Sequence, residues 1–149
     1  MIIGDVFVWN DFPYPKHGLP KPRWFILLGN SCGFNGNDGF VYLLSPSKLV
    51  DQHLLKYRKS VDYEYMIFNI SEYGFKKKCL IDNRTGFYCD FFNNVLTNNS
   101  EVRITGTMEN SKLEIIYNKI LKTHDDISPQ VLDNIKSCFI NYCGIKSIE

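Results

Sequence analysis

The sequence predicts an α+β domain, in which a small antiparallel β-barrel comes first and amphipathic helices follow. Two observations predict this fold class. Several short β-prone runs, separated by turn residues, fill the first part of the chain. After about residue 106 the apolar residues recur at helical spacing. Strands that precede helices, instead of alternating with them, favour antiparallel over parallel sheets.

Length and composition indicate one globular domain. The chain has 149 residues, of which 44% are hydrophobic and 15% aromatic, so it can bury a core without metals or disulfides. We expect a single domain over 1–149, with the barrel over about 1–106 and the helical part over about 107–149. The net charge of +1 excludes a strongly basic protein that binds nucleic acid by charge alone.

Targeting signals and cysteine usage predict a cytoplasmic protein with no membrane partner. The first residues show no basic segment followed by an apolar stretch, and no apolar run approaches the roughly 20 residues that span a bilayer. The five cysteines show no CxxC spacing and are odd in number, which is typical of reduced, buried thiols. His, Cys and Asp residues show no metal-ligand spacing, so we expect no metal.

The first strands are separated by a proline-rich segment. Residues 4–12 form a β-prone run with alternation at Val6 and Val8, and five Pro and Gly residues then make 13–22 an irregular loop. The run 24–28 is apolar enough for the centre of a sheet, and 40–44 is the third strand.

The middle of the chain holds further strands. Residues 63–70 are β-prone, and 78–90 resemble a hairpin around an Asp-Asn-x-x-Gly turn. Residues 102–106 form the last short strand.

Two helices complete the predicted domain. The first follows a cap at Asn110 or Ser111, and the second runs from Ser128-Pro129 to Gly144. The apolar residues expected on their buried faces are Leu113, Ile116, Tyr117 and Ile120 in the first helix and Leu132, Ile135, Phe139 and Tyr142 in the second.

Two segments carry a resemblance to a known family. The first is Gly-Asp-Val-Phe-Val-Trp over 4–9, followed by the proline-rich loop and Lys-Pro-Arg-Trp-Phe-Ile-Leu-Leu over 21–28. The second is the strand, turn and capped helix over 104–113. Together they resemble the MazF/PemK ribonuclease toxins. The resemblance implies an SH3-like barrel.

The resemblance also implies metal-free cleavage of single-stranded RNA without a cofactor, in which the ribose 2′-oxygen attacks the adjacent phosphorus. Arg23 matches the family's arginine, whose planar guanidinium suits the charge on a phosphorane. A hydroxyl at the end of the third strand is the usual companion, and Ser45 or Ser47 occupies that region.

Candidate RNA-binding residues lie in the first loop and near the predicted hairpin turn. Tyr14, Lys16, His17 and Lys21 combine aromatic and basic character, which suits stacked bases and phosphates. His17 could also serve as a general acid or base, or the loop could be only a proline-stiffened connection. Arg84 is a candidate for the RNA groove, although turn chemistry places it in a hairpin loop.

Several positions depart from the family pattern. Trp24 stands where the family has Pro, and the third strand ends without the usual Thr. Ser45 followed by Pro46 could cap a short helix that ends near residue 55, and Arg23 could be only a surface ion-pair residue.

Two functions therefore remain open. One is the ribonuclease toxin, which the resemblance implies to be a homodimer silenced by an antitoxin protein. The other is a non-catalytic barrel that binds a protein or peptide. The second helix extends beyond the usual family end, which puts the usual assembly in doubt. Convergence of Arg23 and a serine hydroxyl on a groove that Trp24 and this helix leave open would favour catalysis.

Overall fold

The computed structural model of the chain describes residues 2–12, 19, 21–31, 40–46, 65–82, 87–91, 101–122 and 128–143. Over these residues the fold is α+β, as predicted, with two antiparallel sheets and two helices. The short helix predicted after Pro46 lies outside the described residues.

In the described part of the chain, seven strands build the two sheets. They are β1 (Asp5–Phe12), β2 (Lys21–Ser31), β3 (Phe40–Leu44), β4 (Tyr65–Phe68), β5 (Cys79–Asp82), β6 (Phe87–Phe91) and β7 (Val102–Thr107). The larger sheet has the order β6-β3-β2-β1-β7, and the smaller one pairs β4 with β5. The apolar run 24–28 lies in β2 at the centre of the larger sheet, which confirms that prediction.

The predicted hairpin over 78–90 is wrong. Its two flanking segments are strands, but they belong to different sheets. Cys79 of β5 pairs with Phe68 of β4, whereas Phe87 of β6 pairs with Leu44 of β3. A turn signature indicates where the chain reverses, and it does not specify which strand the outgoing segment joins.

Residues 5–9 of β1 and 25–28 of β2 are buried on both faces, so their alternation separates two apolar clusters. We call one the helix-side cluster and the other the aromatic cluster. The helix-side cluster includes Val6, Ile26, Leu28, Phe68, Ile81, Leu113, Ile116, Tyr117, Ile120 and Ile135. The aromatic cluster contains Phe7, Trp9, Phe12, Phe25 and Leu27.

Helix α1 (Asn110–Lys122) covers the helix-side cluster. All four residues of its predicted apolar face are fully buried, which confirms the helical spacing. The predicted cap is displaced by at least one residue. The Leu113 N–H donates to the Glu109 carbonyl at 3.2 Å, so Glu109 takes the cap position in place of Asn110 or Ser111.

Helix α2 (Pro129–Cys143) packs against β2 and begins where the sequence predicts. Ser128 caps it, since its Oγ accepts a hydrogen bond of 3.3 Å from the Val131 N–H. Of the predicted apolar face, Ile135 is buried and Leu132 is half-buried. The side chains of Phe139 and Tyr142 are not among those that the structure describes.

The two segments that carry the family resemblance lie side by side. The Met108 N–H donates to the Gly4 carbonyl at 2.9 Å. Asp5 is only 4% exposed, and its carboxylate accepts hydrogen bonds from Thr107 Oγ1 at 2.6 Å and from the Ile2 N–H at 2.7 Å. The buried carboxylate thus joins the start of β1 to the end of β7.

A tight turn holds the smaller sheet against β7. Tyr73 has φ 50°, and its carbonyl accepts a hydrogen bond of 2.9 Å from Thr105 Oγ1. A Cβ on Gly106 would lie 2.9 Å from Tyr73 Cα, so glycine permits this approach. The Tyr73 hydroxyl in turn donates to Glu109 Oε2 at 2.6 Å, which links the turn to the start of α1.

Two further expectations concern cysteines and membranes. Cys79 is a free, buried thiol, as predicted, and Cys138 is buried as well. Neither α1 nor α2, as far as they are described, is long and apolar enough to cross a membrane.

Candidate functional site

Arg23 lies near the start of β2, opposite Trp9 of β1. Side chains alternate along a strand, so Arg23 projects from the same face as Phe25 and Leu27, which belong to the aromatic cluster. The Arg23 side chain is half-buried. The guanidinium cation of Arg23 therefore lies on the face of the sheet that carries the aromatic cluster.

Ser45 meets Arg23 because β3 runs antiparallel to β2. Leu44 pairs with Ile26, so the residue after β3 comes level with the first part of β2. The Arg23 Nε–H donates to Ser45 Oγ at 3.1 Å, and the Ser45 hydroxyl donates to the Trp24 carbonyl at 2.9 Å. Because its own proton points to the backbone, Ser45 is placed to hold the arginine.

Phe12 supports the same guanidinium from one face. The Arg23 Cζ lies 5.5 Å from the centroid of the Phe12 ring, within the range of a cation–π contact. The guanidinium is thus contacted by a hydroxyl at Nε and by an aromatic ring.

Trp24 and the second helix lie on the opposite face of β2 from Arg23. The Trp24 ring packs at 5.5 Å from Phe75 and borders the helix-side cluster. Val131 and Ile135 of α2 reach that cluster too. Neither Trp24 nor α2 therefore lies on the face that carries Arg23 and the aromatic cluster.

Of the residues predicted for RNA binding, the structure describes only Lys21. Lys21 is exposed and begins β2 two residues before Arg23, so both cations project from one face of the strand. The other residues predicted for RNA binding lie outside the described part of the chain, namely Tyr14, Lys16, His17 and Arg84. So does Ser47, which is predicted for catalysis.

Phe12 is the residue that the sequence did not single out. Trp9 and Phe12 are three residues apart, so a regular strand would place their side chains on opposite faces. A register shift between them, with the local form of a β-bulge, puts both into the aromatic cluster. The exposed pair Asn10-Asp11 marks that irregularity, but it carries no recognisable bulge signal.

The shifted pKa values among the described residues belong to groups away from Arg23. Burial, followed by the hydrogen bond to Glu109, raises the pKa of Tyr73, and the same hydrogen bond lowers the pKa of Glu109. Burial raises the pKa of Cys79 to about 12 and that of Tyr117 to about 12. Cys79 and Tyr117 belong to the helix-side cluster, which lies on the other face of β2 from Arg23.

Metal binding is not indicated in the described part of the chain, where no group of three His, Cys, Asp or Glu side chains is placed to hold an ion. The absence of a metal or cofactor stays a prediction.

Comparison with known proteins adds no assignment. No family model matches the sequence, and no curated protein matches it.

Proposed function

We propose that this protein is a metal-independent endoribonuclease that cleaves single-stranded RNA as the toxin of a toxin–antitoxin system. The observation that carries the proposal is the 3.1 Å hydrogen bond from Arg23 to Ser45, two residues that the MazF/PemK resemblance nominates for catalysis. Arg23 lies on a sheet face that Trp24 and α2 do not occupy.

The chemistry assigns the charge-stabilising role to Arg23. The 2′-hydroxyl of one nucleotide loses its proton to solvent as its oxygen attacks the adjacent phosphorus. The bond to the next 5′-oxygen breaks, that oxygen takes up a proton, and a cyclic phosphate and a 5′-hydroxyl result. An arginine has five N–H groups, of which Nε–H serves Ser45 here. The terminal nitrogens form a planar fork that matches two phosphorane oxygens.

Ser45, Ser47 and His17 complete the proposed machinery. Ser45 holds the guanidinium, because its proton is donated to the Trp24 carbonyl and not to a substrate. Ser47 assists, and His17 supplies the proton for the leaving 5′-oxygen, since an imidazole side chain can exchange a proton near neutral pH.

The proposed scaffold is an SH3-like barrel of the MazF/PemK type. Register shifts interrupt β1 against both β2 and β7, and another interrupts β2 against β3. Bulges bend and twist strands, which is how small sheets curve toward closure. A cytoplasmic homodimer, bound by an antitoxin over the RNA groove, belongs to the same proposal.

A specific observation also supports the second candidate, a non-catalytic barrel that binds a protein or peptide. Ser45 is only 6% exposed, and its hydroxyl proton is donated to the backbone. A serine with only a structural task has the same geometry. In that case Arg23 would contact an acidic group on the partner.

Product analysis separates these functions. Purified protein is incubated in EDTA with a long single-stranded RNA and with a DNA of the same sequence. We expect cuts in RNA only, with 5′-hydroxyl and cyclic-phosphate ends. Replacing the nucleotide before a mapped cut with its 2′-deoxy form removes the nucleophile and should abolish that cut.

The contrary outcomes are equally clear. If the folded protein cleaves none of several RNA sequences, the ribonuclease proposal is overturned in favour of the binding module. Products with 5′-phosphate ends would show a different reaction, because water and not the 2′-oxygen would then be the nucleophile.

A further inference from the structure

We propose that Phe12 is a positioning residue for Arg23, which fixes the plane of the guanidinium while Ser45 fixes its rotation. The catalytic consequence rests on the proposed ribonuclease function. The physical claim, that the ring orients the arginine, stands on geometry alone.

The first part of that geometry is the contact itself. The Arg23 Cζ lies 5.5 Å from the Phe12 ring centroid. The negative face of an aromatic ring attracts a cation, and a guanidinium also packs flat on such a face. A ring on one side and a hydroxyl at Nε constrain both the tilt and the in-plane rotation of the group.

The second part is the rigidity of the ring. Phe12 is only 3% exposed. Its ring lies 5.2 Å from Trp9 in an edge-to-face arrangement at 75°, and 5.0 Å from Phe25 at 56°. Edge-on and tilted pairs at these centroid distances are favourable, so Phe12 is held from two sides. A support that does not move can preorganise the group resting on it.

The third part is the register shift between Trp9 and Phe12. Without it the strand would place these two side chains on opposite faces, and Phe12 would project away from Arg23. Bulges that re-aim a side chain are over-represented beside functional sites. Phe12 therefore reaches both the aromatic cluster and the arginine through this backbone irregularity.

The test compares two replacements of Phe12 with a matched control. Phe12→Leu keeps an apolar side chain and removes the π face, whereas Phe12→Tyr keeps the ring. Phe7→Leu is the control, because Phe7 belongs to the same aromatic cluster, is fully buried and pairs with Phe25 at 5.7 Å. Thermal unfolding is measured for each variant, and single-turnover cleavage rates are then compared at a temperature at which every variant is folded.

We expect Phe12→Leu to lower the cleavage rate by about 5-fold to 30-fold, as for loss of a partly desolvated cation–π contact. Phe12→Tyr should stay within about 2-fold of the parent protein, and so should Phe7→Leu. Equal losses in Phe12→Leu and Phe7→Leu would overturn the positioning role, since core packing alone would then explain both. A Phe12→Tyr variant as slow as Phe12→Leu would also overturn it.

A second readout keeps this inference separate from the ribonuclease proposal. Protons above an aromatic ring resonate upfield, so the Arg23 Nε–H and Cδ protons should move downfield in the NMR spectrum of Phe12→Leu and remain in place in Phe7→Leu. Unchanged Arg23 shifts in Phe12→Leu would overturn the inference even in an active enzyme. If the parent protein cuts no RNA but the shifts move as expected, the proposed function fails and the positioning contact stands.

Discussion

The guanidinium of Arg23 and the hydroxyl of Ser45 are joined by a hydrogen bond of 3.1 Å, although the residues are 22 positions apart in the chain. Antiparallel pairing of β2 and β3 brings them together. The hydroxyl also donates a hydrogen bond to the Trp24 carbonyl, so it links the arginine to the backbone of the central strand.

Removing that hydroxyl should slow cleavage and weaken the fold. Ser45→Ala leaves the Trp24 carbonyl and the Arg23 Nε–H without their shared partner, which costs about 1–3 kcal/mol of unfolding free energy for groups this buried. We expect a roughly 10-fold lower single-turnover rate and a lower midpoint in urea. Ser45→Thr keeps the hydroxyl and should restore both values. A Thr variant no better than Ala would contradict the role given to this hydrogen bond.

Asp5 should matter for stability and not for chemistry. Asp5→Ala deletes the acceptor of two hydrogen bonds in a buried position, so we expect a loss of about 2–4 kcal/mol in urea-induced unfolding. Asp11→Ala is the matched control, because Asp11 is exposed on the same strand and its removal should change stability by about 0.5 kcal/mol or less. Equal effects of the two replacements would contradict the structural role of Asp5.

Gly4 should resist replacement for two separable reasons. Its φ is +94°, and an added Cβ would lie 2.8 Å from Leu113 Cδ1 and 3.0 Å from the Met108 carbonyl oxygen. We expect Gly4→Ala to cost about 2 kcal/mol or more. In a double-mutant cycle, Leu113→Ala should relieve the side-chain clash and leave the backbone strain. An additive cycle would show that the clash contributes nothing.

The pH dependence of stability should reflect the Tyr73–Glu109 pair. The pKa of Glu109 is lowered in the fold, so its contribution is present above the unfolded value of 4.5 and is lost as the pH falls through the folded value. The pKa of Tyr73 is raised, so its contribution is present below 10.0 and is lost as the pH rises above that value. Unfolding in urea across pH 3–11 should therefore show losses at both ends.

Two tyrosine-to-phenylalanine substitutions separate the contributions of individual groups to those losses of stability. Tyr73→Phe should flatten both the acid and the alkaline limb, because it removes the phenol and its hydrogen bond to Glu109. Tyr117→Phe should flatten mainly the alkaline limb, since burial and, to a smaller extent, the charge of Asp133 raise the pKa of Tyr117 to about 12. An acid limb that is unchanged in Tyr73→Phe would contradict the assignment.

Local patterns were enough to predict the strands of the larger sheet and the buried face of α1. The apolar run in β2 and the 3.6-residue spacing of α1 each report burial directly. The pairing of β5 was not predictable, because turn residues encode a reversal and carry no information on the strand that receives the chain.

The site was predictable only in part. Arg23 and Ser45 were found through the resemblance, and their contact follows from antiparallel pairing of two strands that the sequence indicated. Phe12 was missed because its position depends on a register shift, and no residue type in β1 specifies one. The Tyr73–Glu109 bond also joins distant segments through tertiary packing, for which the sequence offers no local signal.

The most direct test of the central claim is single-turnover cleavage of a single-stranded RNA in EDTA by the parent protein, Arg23→Ala and Arg23→Lys. Arg103→Ala is the control. Val102 packs against the aromatic cluster, and side chains alternate along a strand, so the neighbouring Arg103 projects from the other face of β7, where it is exposed. We predict that Arg23→Ala lowers the cleavage rate by about 100-fold or more, and that Arg103→Ala cleaves at close to the parent rate. Arg23→Lys should restore little of the rate, because lysine lacks the planar fork of the guanidinium. Folded Arg23→Ala protein that cuts at the parent rate would contradict the account.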